Sequence, residues 1–283
     1  MVVLGDEILA ALGPEVRART VAVSALADDP RYSPSVGAWP PEVPRLTKNP
    51  EMAIALAPSI LVVASFTDAE YRAAAASVIP TVVELRDFTG FDGYLDNVMR
   101  VGEAVGAPER ARALQDDFRT RVAAVRAQQP KGGPRPSCLS WGHGSTAGSE
   151  TTFHAATEAA GCVNVAAHAG LVGHRRVDAE QVVAWDPDFV VLSCRDDGAS
   201  HCDEARAEFE AQPGFTELRA VRHGQLIMIP PPFLSSTGTG MVTLAELVQA
   251  GLRREGVDVR GVPADPRPRP AVAMGEELRC DHP

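Results

Sequence analysis

Apolar positions in the N-terminal third of the chain alternate between helical spacing and strand-like runs. The pattern predicts short helices at 7–15, 50–57 and 68–78, and strands at 20–26, 59–65 and 79–85. The segment "SILVVAS", residues 59–65, is a continuous apolar run, typical of a strand buried on both faces of a parallel sheet. Strands separated by helices indicate βαβ units and hence an α/β layer.

A longer helical pattern follows this third. Residues 91–106 predict one helix, and residues 108–129 predict a second without an internal break. About 22 residues at a rise of 1.5 Å each make a rod of roughly 33 Å. Its apolar positions recur every three or four residues, at Ala111, Leu114, Phe118, Val122 and Val125.

The α/β pattern then resumes, with strands predicted near 137–141, 188–194 and 224–230 and a closing helix from residue 240. The predicted fold class is therefore α/β, with two Rossmann-like lobes joined by a single long backbone α-helix. Its parts are an N-terminal lobe (1–107), a linking helix (108–130), a C-terminal lobe (131–260) and a Pro-rich tail (261–283). A rod shared by both lobes is expected to restrict them to small motions.

One corner of the chain occurs twice. A shift of 129 positions places Glu51 on Glu180 and Pro58 on Pro187, each within a cap, a short helix, a proline and an apolar strand. A carboxylate in the first turn of a helix gains about 0.3–1 kcal/mol from the helix dipole, which suffices to explain either glutamate alone. The repetition also fits two exposed acids that face arginines on a two-fold symmetric partner, since guanidinium and carboxylate groups pair bidentately.

Composition narrows the function classes. A net charge of −10 argues against nucleic acid as a partner. No stretch approaches the roughly 20 apolar residues of a membrane span, and "MVVLGDEILAALG" lacks a signal-peptide pattern, so a cytoplasmic location is not excluded. The five cysteines fit no zinc spacing. Cys194 and Cys202 bracket a polar loop that a disulfide could close or that two free thiols could flank, and the redox compartment stays open.

Several segments resemble the class III (helix-linked) solute-binding proteins of ABC importers, the group that delivers cobalamin, iron–siderophores and haem. They occur in the family's order and are "EILAALG", "NPEMAIALAPSILVV", "NVMRVGEAVGAPERARAL", "TAGSETTFHAATEAAGCVNVA", "VDAEQVVAWDPDFVV" and "PGFTELRAVRHGQLIMIP". The resemblance implies a monomer that docks onto an ABC permease dimer through Glu51 and Glu180, in the periplasm or anchored outside the membrane. The family usually opens with a full strand, whereas only "MVVLGD" precedes Glu7, so that strand is expected to be short or truncated.

The resemblance implies no resident cofactor and a ligand that is a ferric chelate, a haem or a corrinoid. It should lie between the lobes, where the carboxyl ends of the strands converge. Flat apolar contacts could come from Tyr32, Trp39, Phe66, Trp141 and Phe233. Arg86 and Arg195, with Arg31 and Arg175, could pair with anionic groups of the ligand. Trp141 fits a core position as well as a cleft position, and Arg175 fits a solvated face.

A bare metal-ion site is not predicted, because such a site needs ligands from both lobes and the first histidine of the chain is His143. A haem could still use one histidine or Tyr32 as an axial ligand.

Two other function classes remain as alternatives. A two-lobed nucleotide-dependent enzyme is disfavoured, because the chain has no P-loop, no G-x-G-x-x-G after a strand and no G-x-S-x-G elbow. The protein is therefore predicted not to be an enzyme. A cytosolic corrinoid- or metal-chelate-binding protein without a transporter is the other alternative, motivated by the missing signal pattern.

Overall fold

The computed structural model describes residues 3–129, 132, 134–194 and 201–253. The first lobe consists of α1 (Val3–Ala11), α2 (Pro14–Arg19), β1 (Val23–Ser24), β2 (Arg45–Leu46), α3 (Pro50–Ala55), β3 (Ile60–Ala64), α4 (Ala69–Ala76), β4 (Thr81–Leu85) and α5 (Phe91–Ala104). Its strands form two separate parallel pairs, β1–β2 and β3–β4.

The start of the chain differs from the sequence-based prediction. Helix α1 is already formed at Val3, so the short opening strand expected before Glu7 is replaced by helix. The helix predicted over 7–15 is divided in two, because Gly13 has a φ of +104° and Pro14 starts α2. Of the strand predicted over 20–26, only the two residues of β1 are observed as a strand. Among the described residues, β1 pairs with β2 alone.

The long connecting helix is present as α6 (Pro108–Ala127). Four of its five predicted apolar positions are buried, and Leu114 is partly buried. The helix packs closely on α5 at Gly102, where an added Cβ would lie 2.3 Å from the Cβ of Ala111. A glycine is required there because the two backbones approach too closely for a side chain.

The second lobe consists of β5 (Ser137–Trp141), β6 (Ser145–Ala147), α7 (Thr152–Ala160), β7 (Val163–Asn164), α8 (Val165–His168), β8 (His174–Arg176), α9 (Ala179–Trp185), β9 (Phe189–Ser193), α10 (His201–Glu210), α11 (Arg219–Arg222), β10 (Leu226–Ile229), α12 (Pro231–Leu234) and α13 (Gly240–Leu252). Strands β10, β9, β5 and β7 form one parallel sheet in that order. Strands β6 and β8 form a small antiparallel pair.

Helix α13 joins the two lobes in addition to α6. Met241 and Val242 at its start belong to the core of the first lobe, whereas Leu244 and Val248 belong to that of the second. Farther along, the Gln249 side chain donates to the carbonyl oxygen of Val125 at 2.7 Å. The fold class is confirmed as two α/β lobes with a long helix between them, and the closing helix adds a second rigid link.

Two disulfides lie in the second lobe. Cys194, at the end of β9, is bonded to Cys202 in α10, which is one of the two options left open by the sequence. Cys138 in β5 is bonded to Cys162, the residue before β7, and the sequence had not indicated this bond.

Candidate functional site

The repeated corner places a glutamate in the first turn of a short helix in both lobes, although only α3 is capped by a side chain, since Asp178 before α9 makes no capping hydrogen bond. Glu51 lies in the first turn of α3, and Glu180 lies in the first turn of α9. The Asn49 side chain caps α3 by accepting a hydrogen bond from the backbone N–H of Glu51 at 2.9 Å. In α/β units a helix runs antiparallel to the strand that follows it. Both glutamates, which lie at helix N-termini, are therefore expected towards the carboxyl ends of the strands.

Both glutamate side chains are exposed. Among the described residues no ion pair involves Glu51 or Glu180, although arginines are frequent in the chain. Two carboxylates at equivalent positions are therefore available to an outside cation.

The two lobes meet at the loop that follows β4. A Cβ added at Gly90, in that loop, would lie 3.5 Å from the Cβ of Ala155 in α7. The next residue, Phe91, packs against the cores of both lobes. This contact joins the two lobes just after β4.

The first lobe has exposed aromatic rings. Phe66, just after β3, has 69% of its surface exposed, and its ring centroid lies 5.1 Å from that of Phe88, just after β4. Tyr32 is 47% exposed and carries the Arg31 guanidinium 5.5 Å above its ring. Of the five predicted aromatic ligand residues, these two, Tyr32 and Phe66, are exposed.

The other three predicted aromatic ligand residues are core residues in this structure. Trp39 is 3% exposed, Trp141 is 6% exposed and Phe233 is 8% exposed. Trp141 packs edge-on against Phe215, with ring centroids 5.0 Å apart. These rings pack in the apolar cores of the lobes, so in this structure little of their surface is open to a ligand.

Both arginines predicted for the first lobe are already paired, Arg31 with Asp29 at 2.7 Å and Arg86 with Glu84. Arg86 is exposed and donates to the Glu84 carboxylate at 2.9 Å, and Arg72 donates to the other oxygen of Glu84 at 2.7 Å. Hydrogen bonds from Arg86 and then Arg72 lower the pKa of Glu84. This pairing leaves Arg86 only part of its donor capacity for an anionic ligand.

The predicted cations of the second lobe are less informative. Arg175 lies exposed on β8, next to α9, which agrees with a solvated face. Arg195 lies outside the described residues.

At the rim of the second lobe, the chain turns sharply after β5. His143 has a φ of +47°, and its Nδ1 lies 2.9 Å from the Glu208 carboxylate in α10. The Cys194–Cys202 disulfide fastens the start of the same helix to the end of β9. Among the described residues, no group of three or more His, Cys, Asp or Glu side chains is arranged to hold a metal ion.

A family model described as periplasmic binding protein matches residues 4–233, which is most of the chain. The chain belongs to this family.

Solved structures show the same fold. A possible iron-binding (periplasmic solute-binding) protein from Staphylococcus epidermidis is 18% identical, with a TM-score of 0.71 over 87% of this chain and 94% of that one. A periplasmic haem-binding protein from Pseudomonas aeruginosa is 26% identical, with a TM-score of 0.66 over 87% of this chain and 88% of that one. The haem-binding protein RhuT from Roseiflexus is 22% identical, with a TM-score of 0.68 over 87% of this chain and 94% of that one.

Curated relatives are also binding proteins. The chain is 35% identical to a cobalamin-binding protein of Halobacterium salinarum over 114 residues, or 39% of this chain. The match spans 31% of that relative, so this chain corresponds to about a third of it. In the part of this periplasmic binding protein that the structure describes, no helix combines the length and the apolar character needed to cross a bilayer.

Some features of this family member were missed by reasoning from sequence. Phe88 follows β4 as Phe66 follows β3, and this parallel could have identified Phe88 as a second candidate aromatic residue at the strand ends. The contact between His143 and Glu208 had no local signal, because 65 positions separate the two residues.

Proposed function

We propose that this periplasmic binding protein is the solute-binding component of an ABC importer. It takes up a metal chelate between its lobes and delivers it to a permease dimer through Glu51 and Glu180. The observation that carries the proposal is the duplicated corner, in which an exposed glutamate starts the helix before the equivalent strand of each lobe. Binding of small metal complexes by named relatives supports the ligand class.

The docking role follows from geometry and charge. Shifted by 129 positions, strand β3 (Ile60–Ala64) coincides with β9 (Phe189–Ser193), so the two glutamates occupy the same place relative to their sheets. Free exposed carboxylates bind arginine bidentately. A pair related by pseudo-two-fold symmetry suits a partner that is itself two-fold symmetric.

The ligand role follows from the exposed aromatic rings. The exposed ring of Phe66, which packs against Phe88 just after β4, and the exposed ring of Tyr32 on the same lobe could provide apolar contact to a ligand. Such a surface suits the planar face of a haem or a corrinoid. The links through α6 and α13 imply that binding changes the lobe arrangement little.

We place the protein outside the cytoplasm. Two disulfides in a chain of this size persist in an oxidising compartment and are rare in the cytosol. Alkylation of free thiols in protein isolated from its native host, followed by mass measurement, tests this placement, since cytosolic protein would carry all these cysteines reduced.

The delivery role is tested by the double variant Glu51→Ala/Glu180→Ala. Purified protein is titrated separately with haem, cobalamin and a ferric siderophore, and uptake of the labelled chelate is measured in host cells that carry the variant. We expect unchanged affinity and loss of uptake. The matched control is Glu70→Ala/Glu204→Ala, which removes one exposed first-turn glutamate from each lobe and should leave uptake intact.

Three results oppose the proposal. If the Glu51/Glu180 variant binds the chelate and still supports full uptake, the docking role of these two glutamates is refuted. If wild-type protein binds a chelate but supports no uptake, a binding protein that works without a transporter becomes the better description. If wild-type protein binds none of the three chelates, the ligand class is refuted.

A further inference from the structure

Exposed basic residues stand directly before each of the two helices that carry the docking glutamates. In the second lobe, Arg175 and Arg176 belong to β8, and every residue of that strand is exposed. Glu180 follows Arg176 by four positions. In the first lobe, Lys48 is exposed and precedes Glu51 by three positions. Each corner therefore carries a cation as well as an acid on its surface.

The local fold holds these cations close to the glutamates. Val177, between Arg176 and α9, is buried, and its backbone N–H donates to the turn after β5 at 3.1 Å. Strand β8 pairs with β6, where Arg176 lies opposite Ser145. In the first lobe Leu46, the buried end of β2, precedes Lys48 by two positions. The basic residues are therefore attached to anchored strands.

The cations have no acidic partner within the part of the chain that the structure describes. The ion pairs found there include neither Lys48 nor the two arginines of β8. The Arg175 side chain donates to the backbone oxygen of His174 at 3.3 Å. Acids exceed bases in this chain, whose net charge is −10. Adjacent arginines without an acid beside them are therefore available to a group on another molecule.

Each corner also exposes an apolar side chain. Met52 directly follows Glu51 and is 39% exposed. Val183 lies about one helical turn after Glu180 and is 38% exposed. Protein interfaces combine apolar contacts with a polar rim and are enriched in methionine and arginine. The composition of both corners therefore fits contact with another protein.

The alternation of charge favours a protein partner over a lipid surface. Asp178 is exposed and lies between Arg176 and Glu180, so basic and acidic side chains alternate over a short stretch of surface. An anionic membrane would attract the arginines but repel both carboxylates, as well as a chain of net charge −10. A protein can present the opposite charge at each position.

We propose that Lys48, Arg175 and Arg176 form the basic part of the docking surface and pair with carboxylates on the permease. This inference rests on the proposed docking role of the two glutamates. A two-fold symmetric permease presents the same acid beside the same arginine pocket at both half-sites. That acid meets Lys48 on the first lobe and the two arginines on the second. The second lobe contributes more, because guanidinium groups bind a carboxylate bidentately and an ammonium group does not.

Three variants of the full chain test this inference. The serine variant is Lys48→Ser/Arg175→Ser/Arg176→Ser, and the charge-reversed variant places glutamate at the same three positions. The matched control is Arg100→Ser/Arg126→Ser/Arg222→Ser, which removes three exposed cations that also lack an ion pair among the described residues.

Each protein is loaded with whichever of haem, cobalamin or a ferric siderophore the wild type binds. It is then added to right-side-out membrane vesicles, filled with ATP, from host cells that lack this protein. Uptake of the labelled chelate is measured against protein concentration. The variant Glu51→Ala/Glu180→Ala is measured alongside.

We expect the serine variant to raise the protein concentration needed for half-maximal uptake by about tenfold, and the charge-reversed variant to raise it further. Chelate affinity and Tm should not change, because the three side chains are exposed. Added salt should narrow the difference between wild type and the serine variant. Arg175→Ser/Arg176→Ser should account for more of the effect than Lys48→Ser.

The sign of the facing groups is decided by the charge-reversed variant. If it supports uptake as well as wild type does, or better, the facing groups on the permease are not acids and the inference is wrong. A serine variant equal to the control also overturns it. In that case, loss of uptake in Glu51→Ala/Glu180→Ala would leave the proposed docking role of the glutamates intact, whereas full uptake in that variant would remove both.

A lipid partner is tested separately. Wild type and serine variant are mixed with protein-free vesicles of phosphatidylglycerol and phosphatidylcholine, and sedimentation measures the bound fraction. We expect little binding of either protein. Wild-type binding that the serine variant loses would assign the three cations to anionic lipid and overturn their pairing with the permease.

Discussion

The Glu7 carboxylate in the first lobe accepts hydrogen bonds from the backbone N–H of Thr239 at 2.7 Å and from the Thr239 hydroxyl group. Glu7 is 2% exposed, and burial raises its pKa, while the bonds from Thr239 act in the opposite direction. Thr239 precedes α13, so this contact fastens the start of the second bridging helix to α1. It helps to hold the two lobes in one arrangement.

Replacing Glu7 should destabilise the folded protein. In Glu7→Ala the backbone N–H of Thr239 loses its acceptor within the interior, and we expect the free energy of unfolding to fall by about 3 kcal/mol. Urea unfolding measures the change, with Glu103→Ala, an exposed glutamate of α5, as the control. A loss no larger than that of the control would show that the contact contributes little.

Gly238 and Glu7 should be energetically coupled. A Cβ added at Gly238 would lie 2.1 Å from Oε2 of Glu7. Gly238→Ala must therefore displace the Glu7 carboxylate, which is held by its hydrogen bonds from Thr239. We expect Gly238→Ala to destabilise the wild-type protein and to cost at least about 1 kcal/mol less in the Glu7→Ala background. Additive losses in a double-mutant cycle would contradict the coupling.

Asp6 should make stability depend on pH. Burial raises the pKa of Asp6 from its ordinary value of 3.8 to about 6, although the hydrogen bonds from Ser24 act to lower it. A carboxyl group whose pKa is higher in the folded state stabilises that state fully below pH 3.8, and this stabilisation is lost as the pH rises through 6. A shift of about two units corresponds to about 3 kcal/mol.

Asp6→Asn is uncharged at every pH, so its stability relative to wild type should rise by about 2.5 kcal/mol between pH 4 and pH 8. Urea unfolding at several pH values across this range measures the difference. Asp92→Asn, at an exposed acid in the first turn of α5, controls for the loss of one negative charge. A difference that does not vary with pH would show that Asp6 has the same pKa in the folded and unfolded states.

The disulfides should stabilise to different extents. Cys138 and Cys162 are 24 positions apart, and Cys194 and Cys202 are eight apart. By the chain-entropy model, Cys138→Ala/Cys162→Ala should cost about 3.5 kcal/mol and Cys194→Ala/Cys202→Ala about 2.5 kcal/mol. Thermal unfolding with and without dithiothreitol checks both, and a Tm that does not respond to reductant would count against either bond.

Phe66 should contribute to ligand binding without contributing to stability. Its ring is largely exposed, so Phe66→Ala should leave Tm unchanged and weaken chelate binding by about tenfold. Val78→Ala, at another exposed apolar residue of the same lobe, is the matched control for the loss of surface. Unaltered affinity in Phe66→Ala would place the ligand elsewhere.

Local patterns were sufficient for most elements and for the repeated corner, although they failed before Glu7 and over 7–26. The proline at the start of α6 and its apolar spacing predicted a helix that the structure has over Pro108–Ala127. The cap at Asn49 and the carboxylate at Glu51 were readable because both depend on residues within one turn. Exposure of Glu51 and Glu180 also follows from charge, since an unpaired carboxylate is costly to bury.

Aromatic residues were harder to assign. Trp141 and Phe233 stand at strand ends, where sequence suggested a ligand surface, but helices from distant parts of the chain cover them. Apolar character is the same in a core and in a cleft, and only the covering elements distinguish the two.

The sequence by itself determined the α/β alternation, the long helix and the acid that recurs after 129 positions, because each depends on spacing along a few turns of chain. Only the tertiary structure decided which rings are buried, that α13 contacts both lobes, that Cys138 bonds to Cys162 and that, among the described residues, β3 pairs with β4 alone. These depend on contacts between segments far apart in sequence, and a local pattern carries no information about which distant surface will cover it.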